Sequence, residues 1–437
     1  MTETSEAAAV EPVLPTTPRG RRFVVAVLLL AFALRVAVVL ATRADYVPVT
    51  DALGFDLVAT SVAQGHGFGA TQLPFAVGPS ALRPPLYPLT LAAVYVVAGA
   101  HAWTAGRMVN AVIATVLVAL TGLLAAMVLG RLAGAIALLL AAVHPTLLLH
   151  ASGLQLDPLL AVLVLAALCA ALQHRRAPRG VRWPIVAGIC LGLGILTRET
   201  AACMAVPVAL LLWAPRPRLR IDALAAPLIA LAVAVTVVAP WTIRNAVRLH
   251  GFYPVTSAAG YGLAGTYNET SKDHPTYPAI WLPAEIDPTD RAAIAGLAVP
   301  DERNVDAALR REALGFIADH PAYVPTAMFW NTVRLFDLDG PGHSIYISQF
   351  LPYDTRLTRA AVYASYLVYA LAIAAALSGA LRRVPWEVWI YPVLAWLLFA
   401  FVSGNIRYRA TIEPFLLIAC AGGLAVAYDA VRARRAR

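Results

Sequence analysis

The chain has 437 residues, of which 60% are hydrophobic and 14% are charged, and its mean hydropathy is +0.70. Soluble domains are about half apolar and about a quarter charged, so this composition excludes an ordinary soluble enzyme and indicates a bundle of membrane helices. The net charge of +9 is nearly all arginine, since Lys272 is the only lysine. The arginines cluster at the ends of apolar runs, which is typical of membrane topology and excludes a nucleic-acid patch.

The N-terminal residues 1–22 are polar and aperiodic, which predicts a short disordered tail on the cytoplasmic side. Three arginines then precede the first apolar run, residues 23–42. This run is similar to a signal peptide, but the many apolar runs that follow it favour an uncleaved membrane anchor. Arg35 lies inside the run, where it either snorkels to the interface or pairs with an acid of the bundle.

Eleven apolar runs along the chain are candidates for membrane spans. They cover residues 23–42, 86–99, 104–129, 132–150, 157–173, 183–197, 200–214, 222–243, 360–380, 386–403 and 410–430. The short basic segments 174–182, 216–220, 382–383 and 432–437 belong on the cytoplasmic side, as does the N-terminus. With both termini inside, the number of crossings is even.

The run 86–99 is the weakest candidate for a crossing. It has 14 residues and contains Pro88, whereas a span needs about 20 residues. We therefore predict that it forms an interfacial or re-entrant helix on the outer side. The fold class is then an all-α polytopic membrane protein with about ten transmembrane helices.

This topology divides the chain into a membrane part and an external part. The predicted units are a membrane module over 23–243 with its first outer loop at 43–103, an external lobe at 244–359, membrane helices over 360–431 and a basic cytoplasmic tail at 432–437. The lobe mixes Tyr, Trp, Pro, Gly and both charges. Such a composition indicates a folded, mixed lobe rather than a linker.

The first outer loop carries two carboxylates. Thr50 or Asp51 could cap a helix that runs to about Gln64, where Gly65 stops it. Asp51 is therefore either a solvated cap or a functional carboxylate. Asp56 lies about 140° further round such a helix, so the two carboxylates are poorly placed to serve one site together.

Two further charged positions interrupt apolar sequence. Asp157 stands at the outer mouth of a span, where an ionisable group is costly unless paired and is a functional candidate. The alternative is a helix cap, because Asp before Pro158 is a common helix start. Arg198 and Glu199 break a long apolar stretch. They form either a hairpin tip with a local ion pair or a site where the Arg198 guanidinium binds an anion.

Arginines recur at the outer ends of later runs. Arg244 and Asn245 follow the run 222–243, and Arg407 and Tyr408 lie between the last two runs. Short outer loops normally avoid arginine. Binding of an anion such as a lipid phosphate would explain why Arg198, Arg244 and Arg407 break this rule.

Cysteine and histidine give no sign of a metal site. Cys169, Cys190, Cys203 and Cys420 all lie in apolar runs without CxxC spacing, which implies neither a disulfide framework nor a zinc site. The nine histidines show no ligand spacing. No metal is assigned, and a divalent cation held by carboxylates stays open.

Taken together, these segments resemble the dolichyl-phosphate-mannose–protein mannosyltransferase and lipid A aminoarabinose transferase family of the GT-C superfamily. The resembling stretches are TDALGFDLVATSVAQGHGF and RPPLYPLTLA (50–92), SGLQLDPLL (152–160), GLGILTRET (192–200), PWTIRNAVRLHGFYPVTSAAGYGL (240–263) and NIRYRATIEPFLL (405–417). They occur in the order of the family across nearly the whole membrane part. Ala52 and Phe55 depart from the family, which often has Glu or Ser and Tyr at these places.

The resemblance implies roles for the residues singled out above. Asp51 is the catalytic acid/base candidate, Asp157 is the second catalytic acidic residue, and the carrier phosphate is held by Arg198, Arg244 and Arg407. Further substrate-binding candidates are Asp56, Arg83, Glu199, Asn245 and Tyr408.

The implied function is transfer of a sugar from a polyprenyl-phosphate donor to an acceptor hydroxyl, with inversion, on the outer face of the cytoplasmic (inner) membrane. The acceptor is a glycan, a lipid or a protein. The main alternative is a lipid or sugar transporter or flippase, which usually has repeated halves and ionisable groups near the midplane. Here the halves do not match and the acidic residues lie at the outer edge. A non-catalytic scaffold is the other alternative.

Overall fold

The computed structural model describes residues 17–69, 78–178, 180–213, 221–348, 350–351 and 353–436. Its regular structure there is helical. The α-helices are α1 (Pro18–Ala41), α2 (Thr50–Ala63), α3 (Leu86–Ala98), α4 (Trp103–Leu129), α5 (Arg131–Val143), α6 (Pro145–Ala151), α7 (Asp157–Arg176), α8 (Arg182–Thr197), α9 (Ala205–Trp213), α10 (Ile221–Leu249), α11 (Ala259–Ala264), α12 (Glu269–Lys272), α13 (Pro288–Ala295), α14 (Glu302–Asp319), α15 (Tyr323–Leu335), α16 (Pro341–Ser348), α17 (Thr355–Leu377), α18 (Ile390–Val402) and α19 (Glu413–Arg435). Short 3₁₀ helices cover Glu199–Met204, Trp386–Trp389 and Ile406–Thr411.

Six helices of the described chain are long and apolar enough to cross a membrane, namely α1, α4, α7, α10, α17 and α19. The pair α5 and α6, bent by 55° at its break, makes a seventh if it is one span. Four further apolar helices have 10–17 residues, which is fewer than the roughly 20 that a straight span needs. The chain is thus a multi-pass membrane protein, but the predicted count of ten crossings is not confirmed.

Close approach between the span helices depends on small residues. Gly188 and Gly192 lie one turn apart on α8, where a Cβ on either would collide with Ala230, Ala234 or Val237 of α10. Membrane helices gain little from hydrophobic burial against lipid, so such close backbone contact is what holds a pair together. The apolar side chains that remain exposed on the spans, such as Leu29, face the lipid side.

Three predicted boundaries differ from the structure. Of the predicted N-terminal tail, residues 1–16 lie outside the described chain, and α1 already begins at Pro18, where the Thr17 hydroxyl accepts from the Gly20 amide at 3.1 Å. Helix α10 runs on to Leu249 instead of ending at 243, because the loop after it binds its last turns. Helix α19 continues to Arg435, since alanine and arginine are strong helix formers. The basic segment 216–220 also lies outside the described residues.

Arg35 is buried at the break between α5 and α6, with 1% of its surface exposed. Its guanidinium donates to the carbonyls of Ala142 at 3.1 Å, Ala141 at 3.2 Å and Ala31 at 2.9 Å. Carbonyls at the end of a helix have no partner within the helix. Arg35 therefore neither snorkels nor pairs with an acid, but caps the interrupted span.

The segment between α10 and α17 folds into the six helices α11 to α16. Helices α11, α13, α14 and α15 contribute to a separate hydrophobic cluster whose buried members include Tyr267, Val305, Leu309 and Tyr323. The predicted lobe is thus helical in its described residues, rather than mixed. Phe401, at the end of α18, packs against the same cluster and joins the lobe to the membrane helices.

Candidate active site

Helix α2 spans nearly the residues that the sequence predicts, from Thr50 to Ala63, and Gly65 follows with φ +82°. The predicted cap is wrong, because Val49 is the N-cap residue and no side chain caps the helix. Thr50 has φ +48°, a conformation that is rare for a β-branched residue. Its hydroxyl donates to the Phe350 carbonyl at 2.8 Å. The Asp51 carboxylate does not cap the helix and makes other contacts.

Both carboxylate oxygens of Asp51 are paired with arginine. Arg83 Nη1 contacts Oδ1, and Arg407 Nη2 contacts Oδ2. The side chain of Asp51 is 23% exposed and that of Arg407 is 7% exposed. Burial by itself would raise the pKa of Asp51, but Arg407 and Arg83 outweigh it and hold the pKa below its usual range.

The Asp51 pair continues into a second acid–arginine pair through Tyr408. The guanidinium of Arg407 lies 5.0 Å from the Tyr408 ring centre, and that of Arg198 lies 4.6 Å from it. Arg407 Nη1 also donates to Gln155 Oε1 at 3.0 Å, and Arg198 Nη1 donates to Asp157 Oδ1 at 2.8 Å. Arg198 and Arg407 thus share one aromatic ring, and each also pairs with an acidic side chain.

Asp157 is fully buried at the first residue of α7. It caps no amide, so the cap interpretation is wrong, and its Oδ2 has no hydrogen-bond partner among the described residues. The local Arg198–Glu199 ion pair is also wrong, because Glu199 is exposed and Arg198 binds Asp157 instead. A single unpaired charge in this interior would be costly in free energy. Asp157 and Arg198 offset that cost for each other by pairing.

Arg244 and Asn245 bind backbone carbonyls rather than the Asp51 cluster. Arg244 donates to the carbonyls of Ser80 at 2.7 Å and Phe68 at 2.9 Å. Asn245 donates to the carbonyls of Tyr253 at 3.0 Å and Val255 at 3.3 Å. These contacts fasten the end of α10 to two loops.

Glu302, which sequence reasoning missed, holds the same loop from the lobe side. It is 3% exposed, and its Oε1 accepts from the Ala81 amide at 2.7 Å and from the Ser257 hydroxyl. The Thr256 hydroxyl also donates to the Leu82 carbonyl at 3.0 Å. Residues 80–82 are therefore fixed from both sides immediately before Arg83. A lone Glu at a helix start gives no sequence signal of such a role.

Asp56 lies apart from this cluster, as the helical spacing predicts. It accepts from the Tyr95 hydroxyl at 2.7 Å and lies 2.6 Å from His101 Nδ1. The described ranges also bring together no group of three or more His, Cys, Asp or Glu side chains that could hold a metal ion. The cluster thus consists of Asp51, Arg83, Gln155, Asp157, Arg198, Arg407 and Tyr408.

Comparison with known proteins supports a GT-C fold. A sequence model of the family described as dolichyl-phosphate-mannose-protein mannosyltransferase matches residues 82–243. No curated protein matches the chain in sequence. Archaeal oligosaccharyltransferase AglB from Archaeoglobus fulgidus, in complex with an inhibitory peptide and a dolichol-phosphate, superposes with a TM-score of 0.57 at 14% identity over 96% of this chain and 52% of its own.

Two other solved structures extend this comparison. The apo form of the Archaeoglobus fulgidus oligosaccharyltransferase gives a TM-score of 0.54 at 14% identity, over 94% of this chain and 51% of its own. ArnT from Cupriavidus metallidurans bound to undecaprenyl phosphate gives 0.43 at 15% identity, over 91% and 78%. The chain spans about half the length of the oligosaccharyltransferase. The resemblance seen in the sequence is confirmed, and the chain has the polytopic membrane fold of GT-C glycosyltransferases.

Proposed function

We propose that the chain is a glycosyltransferase that passes a sugar from a polyprenyl-phosphate donor to an acceptor hydroxyl at the outer face of the cytoplasmic membrane. The observation that carries this proposal is the paired cluster, in which Asp51 meets Arg407 and Arg198 meets Asp157 around Tyr408. The GT-C fold and the mannosyltransferase description of the matching family support it.

The two arginines on Tyr408 suit the phosphate of the donor. A guanidinium presents a planar fork of N–H donors that matches phosphate oxygens and stays charged at any physiological pH. When the sugar leaves, the phosphodiester becomes a monoester and gains negative charge. Arg407 and Arg198 would stabilise that charge. Electrostatic stabilisation of this kind is usually the largest single contribution to the rate of such reactions.

Asp51 suits the acceptor hydroxyl. Its carboxylate takes the hydroxyl proton while the acceptor oxygen bonds to the anomeric carbon, and the bond from that carbon to the phosphate oxygen breaks with its electron pair. A positioned base of this kind contributes about 10²–10⁴ in rate. One base and one leaving-group site support a single displacement, which inverts the anomeric centre.

The pairing of Asp51 adds a requirement to this mechanism. Both of its oxygens are held by arginine, which lowers the pKa of the carboxylate, so Asp51 is a weak base until one arginine withdraws. Arg83 follows a loop that is fixed on both sides. Arg407 is therefore the arginine that exchanges Asp51 for the donor phosphate, and donor binding precedes proton transfer.

The remaining acidic and basic candidates take supporting roles in this proposal. Asp157 lies fully buried against Arg198, so we assign it the positioning of that arginine rather than contact with the acceptor. Arg244 and Asn245 are assigned to the loop contacts described above rather than to the donor phosphate.

The test is sugar transfer in membranes that contain the full chain. A panel of radiolabelled polyprenyl-phosphate sugars is supplied to wild type, to Asp51→Asn and to Asp45→Asn, a matched control because Asp45 is exposed in the same loop. We expect wild type and Asp45→Asn to move label to an acceptor and Asp51→Asn to lose transfer while retaining donor binding. Full transfer by Asp51→Asn would remove the base assignment, and a wild type that consumes no donor would overturn the proposed function.

A further inference from the structure

A second polar cluster lies on α2 away from Asp51. Asp56, 1% exposed, accepts from the Tyr95 hydroxyl and faces His101 Nδ1 at 2.6 Å. Because Nδ1 faces the carboxylate, Asp56 fixes the ring of His101 and turns Nε2 outward. The His101 side chain is 46% exposed, and no residue that the structure describes partners its Nε2. The buried Asp56 carboxylate thus orients His101 so that one of its ring nitrogens is accessible.

The backbone at His101 is held in an unfavourable conformation. His101 has φ +54° in the short turn between α3 and α4, which also contains Gly99 with φ +94°. A residue with a side chain rarely adopts this conformation and keeps it where the surroundings fix it, often at ligand sites. The contact with Asp56 provides such fixing.

An open groove of about 520 Å³ borders His101. Its lining has two polar residues, His101 and Thr104, and the remaining residues are apolar: Ala98, Ala102, Trp103, Ala105 and Met108. Sites for small molecules occupy about 300–1,000 Å³. Helix α4 is a membrane span, so the groove lies where the span meets the membrane boundary, and Trp103 is a residue typical of that depth. The shape and lining suit a molecule with a polar head and an apolar chain.

We propose that this groove binds the phosphate head of a membrane lipid, with the apolar chain along the wall of α4. When both ring nitrogens of His101 carry a proton, Nε2–H donates to a phosphate oxygen, and the buried Asp56 balances the charge of the ring. The Trp103 amide at the start of α4 donates to the His101 carbonyl at 2.7 Å, and Ala102, the N-cap residue, supplies no side-chain cap. The amides of Thr104 and Ala105 are therefore the helix donors left for the same anion. The phosphate belongs to a bilayer phospholipid or to a polyprenyl phosphate. The site is separate from the Asp51 cluster and does not depend on the function proposed above.

The experiment measures lipid binding to the purified full chain in detergent by native mass spectrometry. Four probes are used: dihexanoyl phosphatidylglycerol, farnesyl phosphate, inorganic phosphate and dihexanoylglycerol, which has the chains without the phosphate. Wild type is compared with His101→Ala and with His66→Ala, a control because His66 is exposed in the same segment and lies outside the groove. We expect His101→Ala to weaken binding of a phosphate lipid at least about tenfold, the effect of one hydrogen bond to a charged group.

The arms of this experiment separate the sources of the phosphate. If His101→Ala weakens the binding of phosphatidylglycerol, the ligand is a bilayer lipid. If it weakens the binding of farnesyl phosphate, the ligand is the polyprenyl carrier. Unchanged binding in His101→Ala, equal binding of dihexanoylglycerol, or equally strong binding of inorganic phosphate would overturn the proposal. Ala105→Phe fills the groove from its apolar wall without touching the Asp56–His101 pair. It must also weaken lipid binding, and it keeps the test valid if His101→Ala folds poorly.

Discussion

Asp51 divides its two oxygens between Arg83 and Arg407, and this pairing determines how the residue responds to pH. Burial favours the neutral acid, yet the two guanidinium groups favour the carboxylate more strongly, so the pKa of Asp51 is lowered. The carboxylate consequently stays ionised at a lower pH than a free aspartate does. Its basicity is correspondingly weak while both arginines remain in place.

The exchange of Arg407 between Asp51 and the donor phosphate is testable through pH profiles. The acid limb of kcat/KM reports the free enzyme, and that of kcat reports the complex. Loss of one positive neighbour raises the pKa of Asp51, so we expect the acid limb of kcat to lie at higher pH than that of kcat/KM. Arg407→Gln should raise the limb of kcat/KM, whereas Arg303→Gln, at an exposed arginine of the lobe, should leave it in place. If the acid limbs of kcat and kcat/KM lie at the same pH in wild type, the exchange of Arg407 between Asp51 and the phosphate is contradicted.

Several members of the cluster could be predicted from sequence because charge at the end of an apolar run is costly and needs a reason. That reasoning identified Asp51, Asp157, Arg198 and Arg407, which the structure brings together. It could not predict the partners, because pairing depends on contacts between distant parts of the chain. The same reasoning assigned Arg244 to a phosphate, whereas the structure gives its guanidinium two backbone carbonyls.

At the level of elements, the end of α10 and the loop after it act as one connector. Trp241 and Thr242 donate to the carbonyls of Val255 and Pro254, both at 2.7 Å. Residues 256–257 then bind the 81–82 segment, which leads to Arg83. The stretch 240–263, one of those that resemble the family, thus connects a span, the lobe and the Asp51 cluster.

Glu302 is the buried carboxylate of this connector, and two substitutions separate its roles. Glu302→Gln keeps an acceptor oxygen for the Ala81 amide and should retain most activity. Glu302→Ala removes it, so Arg83 should hold Asp51 less firmly, and we expect kcat/KM to fall about tenfold, the cost of one hydrogen bond to a charged group, and its acid limb to move to higher pH.

The matched control for Glu302 is Asp290→Asn, another buried carboxylate of the lobe without contact to the 81–82 segment. Burial and the neighbouring Asp287 raise the pKa of Asp290 to about 7. The control should change the melting temperature of the lobe without moving the acid limb. If Glu302→Ala lowers the melting temperature and leaves the acid limb where it was, its role is stability alone.

Helix ends were predicted well where a glycine stops the helix and poorly where tertiary contacts extend it. Helix α2 ends before Gly65 as expected, since glycine readily adopts positive φ. Helix α10 continues past Pro240 and the predicted end at 243 because its last turns gain side-chain contacts with the loop 253–255. No local pattern encodes those contacts.

For the whole molecule, composition was enough to predict an all-helical membrane fold, but not the number of crossings. Helix α3 has 13 residues, about 20 Å at about 1.5 Å per residue, against a hydrocarbon core of about 30 Å. Val97 on this helix is 88% exposed. We therefore expect this helix to enter the bilayer from one side or to lie at its boundary.

Cysteine labelling tests this placement in a variant that lacks the four native cysteines. Val97→Cys should react with a membrane-impermeant reagent from outside the cell, or from neither side. Ser378→Cys, at the exposed end of α17 in a turn predicted to be cytoplasmic, should react from the cytoplasm only. Labelling of Val97→Cys from the cytoplasm would show that α3 crosses, and the predicted topology would then be wrong.

The placement of Arg35 also bears on how the protein enters the membrane during synthesis. The break between α5 and α6 lies within a candidate span and leaves carbonyl groups without a partner inside the helix. Arg35 comes from α1, which precedes α5 and α6 along the chain, and the carbonyls of Ala141 and Ala142 follow it by more than a hundred residues. The Arg35 guanidinium is therefore already in the bilayer when the carbonyls of Ala141 and Ala142 arrive. The order of translation thus matches the order in which the broken span can be stabilised.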